Sequence, residues 1–519
     1  MRLESFKNYQ QVHIWTGILS GLLLYICFVA GAFTMFKAPL NQWALQSEQR
    51  LPTIAYEQYD DLIQAVLTAY PAAAAKMTVN LPHSVSQHAP VSWVVEDPYT
   101  HAATTWQASL DESGELLVQS TRLSAIGDFL DDLHRTGGIP GGGDHDAYGI
   151  LVMGLVAALY FIAIVSGLII FLPTWFKDLF TLRKGKNSKR FWVDFHNILG
   201  ITALPFHIVI AVTTVVFAYH DILYGAMQQW VYKDTPMFTL PSPSKVERDV
   251  TQLLPVAKLD QAIKALEPEF EPAVLEYAGL NTPRARVMIG GQLDGEWIRG
   301  PEYAYWVSDP YTAASGYSAM LPSLSGFEGK VVNGFFTLHF GGFGGTFVHW
   351  IYFGLGLSGA LLFLTGNIIW IEARRKKLKS AESVEQRRSV KVMARLTIGV
   401  TVGTLIGIAC ALIVVKGLNH KAVNIPFWQQ TAYYCGFLLS LAYPFVNRPI
   451  TAAKHLLAVL CGLIGTLIVL TGLNLDRAFN YATDLSVCLV ACVLLLGLIA
   501  TLVHLHKRKA LIPTDSVWS

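Results

Sequence analysis

His13-Ile-Trp-Thr-Gly17-Ile-Leu-Ser-Gly21-Leu-Leu-Leu-Tyr25-Ile-Cys27-Phe28-Val-Ala-Gly31-Ala-Phe-Thr34 is an unbroken stretch without a charged side chain. A helix rises about 1.5 Å per residue, so about 20 such residues cross a hydrocarbon core of about 30 Å. The apolar part, Ile14 to Phe36, is too long for the hydrophobic region of a secretory leader and is read as an anchor. Working outward, seven more runs of this kind follow. Eight spans are expected, near 12–36, 148–173, 194–219, 346–371, 391–415, 426–446, 454–473 and 483–505. The composition agrees: 52% of the 519 residues are hydrophobic and 15% charged, against about a quarter charged in soluble domains. The fold class expected is a polytopic α-helical membrane protein.

Orientation follows from the basic residues. Lys177, Arg183, Lys184, Lys186, Lys189 and Arg190 follow the second run; Arg374, Arg375, Lys376, Lys377, Lys379, Arg387 and Arg388 follow the fourth; Lys507, Arg508 and Lys509 lie near the C-terminus. With eight spans these loops and both termini share the cytoplasmic side. The expected order is then 1–36 first span, 37–147 outer domain, 148–173 span, 174–193 basic loop, 194–219 span, 220–345 second outer domain, 346–371 span, 372–390 basic loop, and 391–519 a four-span bundle. No basic stripe marks a soluble domain, so nucleic acid is not an expected partner.

The first four spans and their outer segments repeat. His13-Ile-Trp-Thr-Gly17 opens the first span and His196-Asn-Ile-Leu-Gly200 the third. Asp61-Leu-Ile-Gln-Ala-Val-Leu67 matches Asp260-Gln-Ala-Ile-Lys-Ala-Leu266, both with helical periodicity. Trp93-Val-Val-Glu-Asp97-Pro98-Tyr99-Thr100 matches Trp306-Val-Ser-Asp309-Pro310-Tyr311-Thr312, and Leu133-His134-Arg-Thr-Gly137-Gly138 matches Leu338-His339-Phe-Gly341-Gly342. These matches lie 183, 199, 212 and 205 positions apart, in one order. Both units start on the same side, so a parallel repeat about an axis normal to the membrane is expected. Each outer segment reads as α+β. The Asp-Pro-Tyr-Thr tetrapeptides read as structural turns, Pro setting φ and Asp and Thr bonding nearby backbone.

Histidine dominates the polar residues of the spans, and carboxylates are almost absent from them. Intramembrane polar residues are costly and mark function. Paired histidines in a helical bundle suit the axial ligation of haem iron. No Cys-x-x-Cys-His occurs and all six cysteines fall in apolar runs, so haem b, held without a covalent link, is the type expected. The repeat pairs His13 with His196 at the cytoplasmic ends of spans one and three, and His134 with His339 just outside spans two and four. Two haems would stack across the bilayer, their irons about 20 Å apart in a core of about 30 Å. Gly17 and Gly200 would let the backbone approach the porphyrin, as would Gly137, Gly138, Gly341 and Gly342. His207, 11 residues after His196 and preceded by Pro205, is an alternative outer ligand or a bridge between sites. His349 ranks with it. His83, His88, His101 and His145 read as solvated, and His420, His455, His504 and His506 as interfacial or part of basic clusters.

No dinucleotide fingerprint, P-loop, zincin or nucleophile-elbow motif occurs. Electrons must come from a separate donor, a cytoplasmic flavin reductase or a membrane quinol. The last four spans would serve packing, homodimer formation or a lipid-soluble ligand.

The His13-x-Trp15-x-Gly17 start, the two Asp-Pro-Tyr-Thr turns, the Leu-His pairs and the string Trp192-Val-Asp-Phe-His196-Asn-Ile-Leu-Gly200 with Leu204-Pro205-Phe206-His207 resemble the bacterial PepSY-associated transmembrane family over about residues 8–372. The resemblance implies two PepSY-like periplasmic domains on an inner-membrane protein. It also implies electron transfer through two haem b groups on His13, His196, His134 and His339, reducing ferric iron in a siderophore. The chain is similar to the longer branch of that family, in which His207 is typical. The alternatives are a non-enzymatic regulatory or binding protein and a siderophore or iron transporter component.

Overall fold

The computed structural model describes residues 3–45, 50–85, 89–96, 103–121, 126–141, 148–179, 181–183, 188–236, 248–317, 320–375, 385–418, 424–478, 480–508 and 517–518. The tetrapeptide Asp97–Thr100 and His88, His101, His145 and His420 lie outside the described residues. In chain order the helices are α1 (Leu3–Thr34), α2 (Lys37–Trp43), α3 (Tyr59–Ala69), α4 (Ile126–Thr136), α5 (Tyr148–Phe171), α6 (Trp175–Asp178), α7 (Ser188–Thr202), α8 (Leu204–Met227), α9 (Val256–Leu266), α10 (Phe327–Phe340), α11 (Gly345–Arg374), α12 (Arg388–Leu418), α13 (Ile425–Val446), α14 (Pro449–Leu473) and α15 (Tyr481–Arg508). The strands are β1 (Lys76–Asn80), β2 (Val91–Glu96), β3 (Ala103–Leu110), β4 (Leu116–Thr121), β5 (Glu271–Ala278), β6 (Arg286–Gln292), β7 (Ala304–Ser308) and β8 (Ser315–Tyr317).

Two compact units result. The membrane unit gathers Met1–Ala44, Ser124–His220 and His349–Ser519; the sheet unit gathers Leu45–Leu123 and Asp221–Val348. Residues 37–44 and 126–141, read from sequence as outer domain, thus fold with the membrane helices.

Among the described residues seven helices are long and apolar enough to cross a membrane; they comprise α1, α5, α8, α11, α12, α14 and α15, with the second running on to Thr174 and the third to Tyr232. The remaining expected span, 426–446, is α13. It is helical for 22 residues, but Gln429, Gln430 and Pro444 dilute its apolar run and it falls outside that set. The third expected span is split. Pro205 has no N–H to continue the ladder, and the chain turns at Ala203 between α7 and α8. In the membrane unit α12 lies close to α13 because Gly399, Gly403 and Gly407 face Leu441, Ser440 and Tyr433. Small residues let helix backbones approach where the surrounding lipid supplies no hydrophobic drive.

The sheet unit is one antiparallel sheet of order β4-β3-β2-β1-β5-β6-β7-β8, so both repeats contribute four strands to it. The seam is β1 against β5, with Thr78 opposite Glu276. The shared Trp-Val dipeptide sits in β2 in the first half but in β7 in the second. The halves therefore match in strand number without matching strand for strand. Alternation puts Met77, Val79, Leu275, Tyr277, Val287, Ile289 and Trp306 on the face that shares a core with Leu62 and Val66 of α3 and Leu259 and Ile263 of α9. Each such aliphatic side chain contributes about 1.5–3 kcal/mol on burial. The second Asp-Pro-Tyr-Thr is a structural turn between β7 and β8: the Asp309 carboxylate accepts from the N–H of Tyr311 at 2.8 Å and of Thr312 at 3.2 Å.

Candidate functional site

His13 on α1 and His196 on α7 meet in the membrane unit. Their ring centroids are 6.3 Å apart and their planes 77° apart. Two imidazoles on opposite sides of one metal ion, with metal–nitrogen bonds of about 2 Å each, hold their centroids about 6 Å apart. An edge-to-face contact has a similar separation, so the hydrogen bonds decide what the pair can do. His13 Nδ1 lies 2.8 Å from the Ala163 carbonyl of α5 and must donate to it. The Thr365 hydroxyl of α11 donates to the Leu362 carbonyl at 2.8 Å, so its oxygen accepts from His196 Nδ1 at 2.9 Å. Both rings therefore carry the proton on Nδ1 and a lone pair on Nε2. Among the described residues neither Nε2 has a hydrogen-bond partner, and each ring is only half-buried. This is the tautomer a metal ligand needs, with the second nitrogen held by an outer partner.

The cradle of the pair repeats as well. Gly167 of α5 lies against the His13 ring, where an added Cβ would meet Cε1 at 2.9 Å; Gly366 of α11 lies against His196, with Cε1 at 3.5 Å. Ser166 and Thr365, one residue earlier, each bond a carbonyl of the preceding turn, Ala163 and Leu362. Sequence reading had passed over these four residues, although Val165-Ser-Gly-Leu-Ile-Ile170 and Leu364-Thr-Gly-Asn-Ile-Ile369 carry the signal 199 positions apart. Among the described residues, Gly17, expected beside a porphyrin, has nothing within 4 Å of an added Cβ, and Gly200 meets Leu362 at 3.5 Å. Asn367, 2% exposed, has no hydrogen-bond partner for its Nδ2 among the described residues, and its Oδ1 is close to Gly21.

A family model for the PepSY-associated TM region matches residues 10–373. The chain belongs to the PepSY-associated transmembrane family. The match takes in both His-x-x-x-Gly starts and both Ser/Thr-Gly pairs and stops before α12, so in this family member the last four helices lie beyond the shared region. No curated protein matches the chain.

The other histidines of this PepSY-associated protein are placed differently. His134 on α4 turns toward α1, where its Nδ1 donates to the Cys27 carbonyl at 3.0 Å. A Cβ on Gly31 would sit 2.6 Å from that nitrogen. His339 belongs to the sheet unit, on α10, nine-tenths buried beside Phe340. His207 on α8 is 1% exposed, and among the described residues neither ring nitrogen has a partner. Phe28, Tyr160 and Phe206 surround it at centroid distances of 6.0, 6.0 and 5.6 Å. His349 begins the part of α11 that lies in the membrane unit.

The glycines that follow the two Leu-His pairs have a backbone explanation. Gly137 and Gly138 follow α4 at φ of 62° and 78°, and Gly341 follows α10 at 65°. A left-handed residue closing a helix is most often glycine. These three glycines are thus accounted for by helix termination, without any ligand.

The start of α7 is pinned. Asp194, 2% exposed, accepts from Arg183 through its backbone N–H and Nε at 2.9 Å each and through Nη2 at 2.7 Å. Arg183 also donates to Asp178 at 2.8 Å. This hydrogen bond holds the Asp178 carboxyl below the usual range. A depressed folded-state pKa stabilises above the ordinary value of about 4 and loses its effect only as pH falls through the lowered value. The lock should accordingly be intact at neutral pH and loosen only in acid. Asp194→Asn removes the charge that orients Arg183. It should cost about 1–3 kcal/mol, read as a lower melting temperature in detergent; an unchanged melt would show the lock to be dispensable.

Proposed function

We propose that this protein carries electrons across the membrane through two b-type haems to an acceptor outside, and that the acceptor is ferric iron in a siderophore complex. The observation that carries the reading is the His13–His196 pair, two imidazoles of metal-ligating tautomer at the separation one iron requires. Bound there, the haem would supply a one-electron couple whose potential the ligands and their partners tune. Ala163 and Thr365 hold the Nδ1 protons and so raise the basicity of the Nε2 atoms. Gly167 leaves room for the His13 ring to keep its bond.

His134, whose ring is likewise oriented by a backbone carbonyl, is read as a ligand of the second haem. For its partner we take His207 in place of the repeat-matched His339, because a buried imidazole with both nitrogens unpaired is costly without a ligand. Hard oxygen chelators hold ferrous iron less well than ferric, so reduction would release it. A cytoplasmic flavin reductase or a membrane quinol would supply the electrons. The reading places the protein in a bacterial inner membrane, termini inside and sheet unit outside.

The test is an optical spectrum of protein purified from haem-replete cells, with haem counted as the pyridine adduct. Two low-spin haems per chain are expected; colourless protein would overturn the proposal. His207→Ala should lose half the haem while His339→Ala keeps it all, and the opposite result would restore the repeat-matched ligand.

A further inference from the structure

Lys416 and Asp484 form a buried ion pair between α12 and α15, 2.8 Å apart, with side chains 4% and 0% exposed. Charges in a membrane helix are costly and are retained for a reason. Lys416 makes a second bond. Its Nζ donates to the Trp43 carbonyl of α2 at 2.7 Å and lies 4.8 Å from the Trp43 ring centroid. Trp43 is wholly buried.

From α2 the connection continues to α4. Lys37 Nζ pairs with Asp128 at 2.9 Å and Asp131 at 3.1 Å. The Gly127 N–H donates to Asn41 Oδ1 at 2.7 Å, and a Cβ on Gly127 would strike the Lys37 carbonyl. The far end of α4 is held too. Tyr433 and Tyr434 of α13 reach Gly138, Tyr434 donating to its carbonyl at 3.4 Å. Tyr433 also packs on Phe129. One end of α4 is thus fastened by α2, which Lys416 of α12 holds in turn, and the other end by α13; α12, α13 and α15 lie outside the family-matched region.

We propose that Lys416 and Asp484 are positioning residues for His134: the C-terminal helices clamp α4, the helix that carries it, against α1. The functional half of this proposal rests on the reading of His134 as a haem ligand, and the test separates the two.

The experiment uses the full chain in lipid nanodiscs. Lys416→Met with Asp484→Leu removes both charges together, so neither is left buried alone, but takes the donor from the Trp43 carbonyl. Amide exchange in 126–136 should become about tenfold faster or more. The haem signal that His134→Ala abolishes should shift, while the one that His196→Ala abolishes stays. Lys416→Arg, which keeps both bonds, should restore wild-type exchange. Should the double variant fail to fold, Asp484→Asn carries the same comparison. Unchanged α4 exchange and an unchanged His134-linked signal in a folded variant would overturn the clamp. A colourless wild type would sink the haem reading, and the clamp would then stand or fall on α4 exchange alone.

Discussion

Replacing His196 by alanine is expected to remove half of the bound haem and abolish electron transfer across the membrane, while leaving the protein folded. His196 supplies one of the two nitrogens of the inner pair, and no other described histidine shares a ring contact with His13. The ring is half-buried, so its loss should cost about 1–3 kcal/mol of stability, within what a helical bundle of this size tolerates. His13→Ala should give the same spectrum, since either loss leaves one imidazole. The measurements are the pyridine-haemochrome count, and reduction of a membrane-impermeant ferric chelate by proteoliposomes loaded with reductant. Full haem content in a folded His196→Ala protein would remove the basis of the functional reading.

Gly167→Ala should be far more damaging than Gly366→Ala, although the two glycines hold the same place in the repeat. At Gly167 the new methyl would lie 2.9 Å from Cε1 and 3.0 Å from Nδ1 of His13. Non-bonded carbons rest about 3.5–4.0 Å apart. The ring must swing away and give up its 2.8 Å bond to the Ala163 carbonyl. Overpacking of this kind costs about 1–3 kcal/mol, and here it falls on a ligand. At Gly366 the nearest atom is 3.5 Å away, an ordinary contact, and alanine in a helix gains about 1 kcal/mol over glycine. Gly167→Ala is expected to lose the low-spin signal of the His13–His196 haem; Gly366→Ala should keep it and melt no lower. Equal behaviour of the two variants would mean that the rings are not held as described.

Much of this was legible in the residues. The apolar runs gave the membrane helices, and the repeated His-x-x-x-Gly brought out His13 and His196, which the fold then joins. What could not be read is instructive. Ser166-Gly167 and Thr365-Gly366 look like filler in apolar spans, because a hydroxyl that bonds its own helix leaves no mark on periodicity. Gly137, Gly138 and Gly341 were read as making room for a cofactor, since a pattern does not reveal torsion angles; their positive φ shows a helix ending. Alternation located strands in both outer segments, but period two says nothing of which strand is whose neighbour, and the joining of the halves through β1 and β5 was not foreseen. His134, placed by sequence just outside span two, instead leans on Cys27 within span one's helix. The α4 segment that carries it has its own apolar side, buried through Ile126, Phe129, Leu130 and Leu133.

The seam between β1 and β5 has a consequence for biogenesis. The first half of the sheet is complete in sequence by Thr121, but its partner strand begins only at Glu271. Until nearly 150 further residues have been synthesised and their helices threaded into the bilayer, β1 presents a bare hydrogen-bonding edge to its surroundings. Such an edge recruits any strand it meets. A nascent chain stalled between Thr121 and Glu271 should therefore be prone to pair with a neighbouring nascent chain, and its escape from aggregation would depend on the speed of translation or on a chaperone that shields that edge.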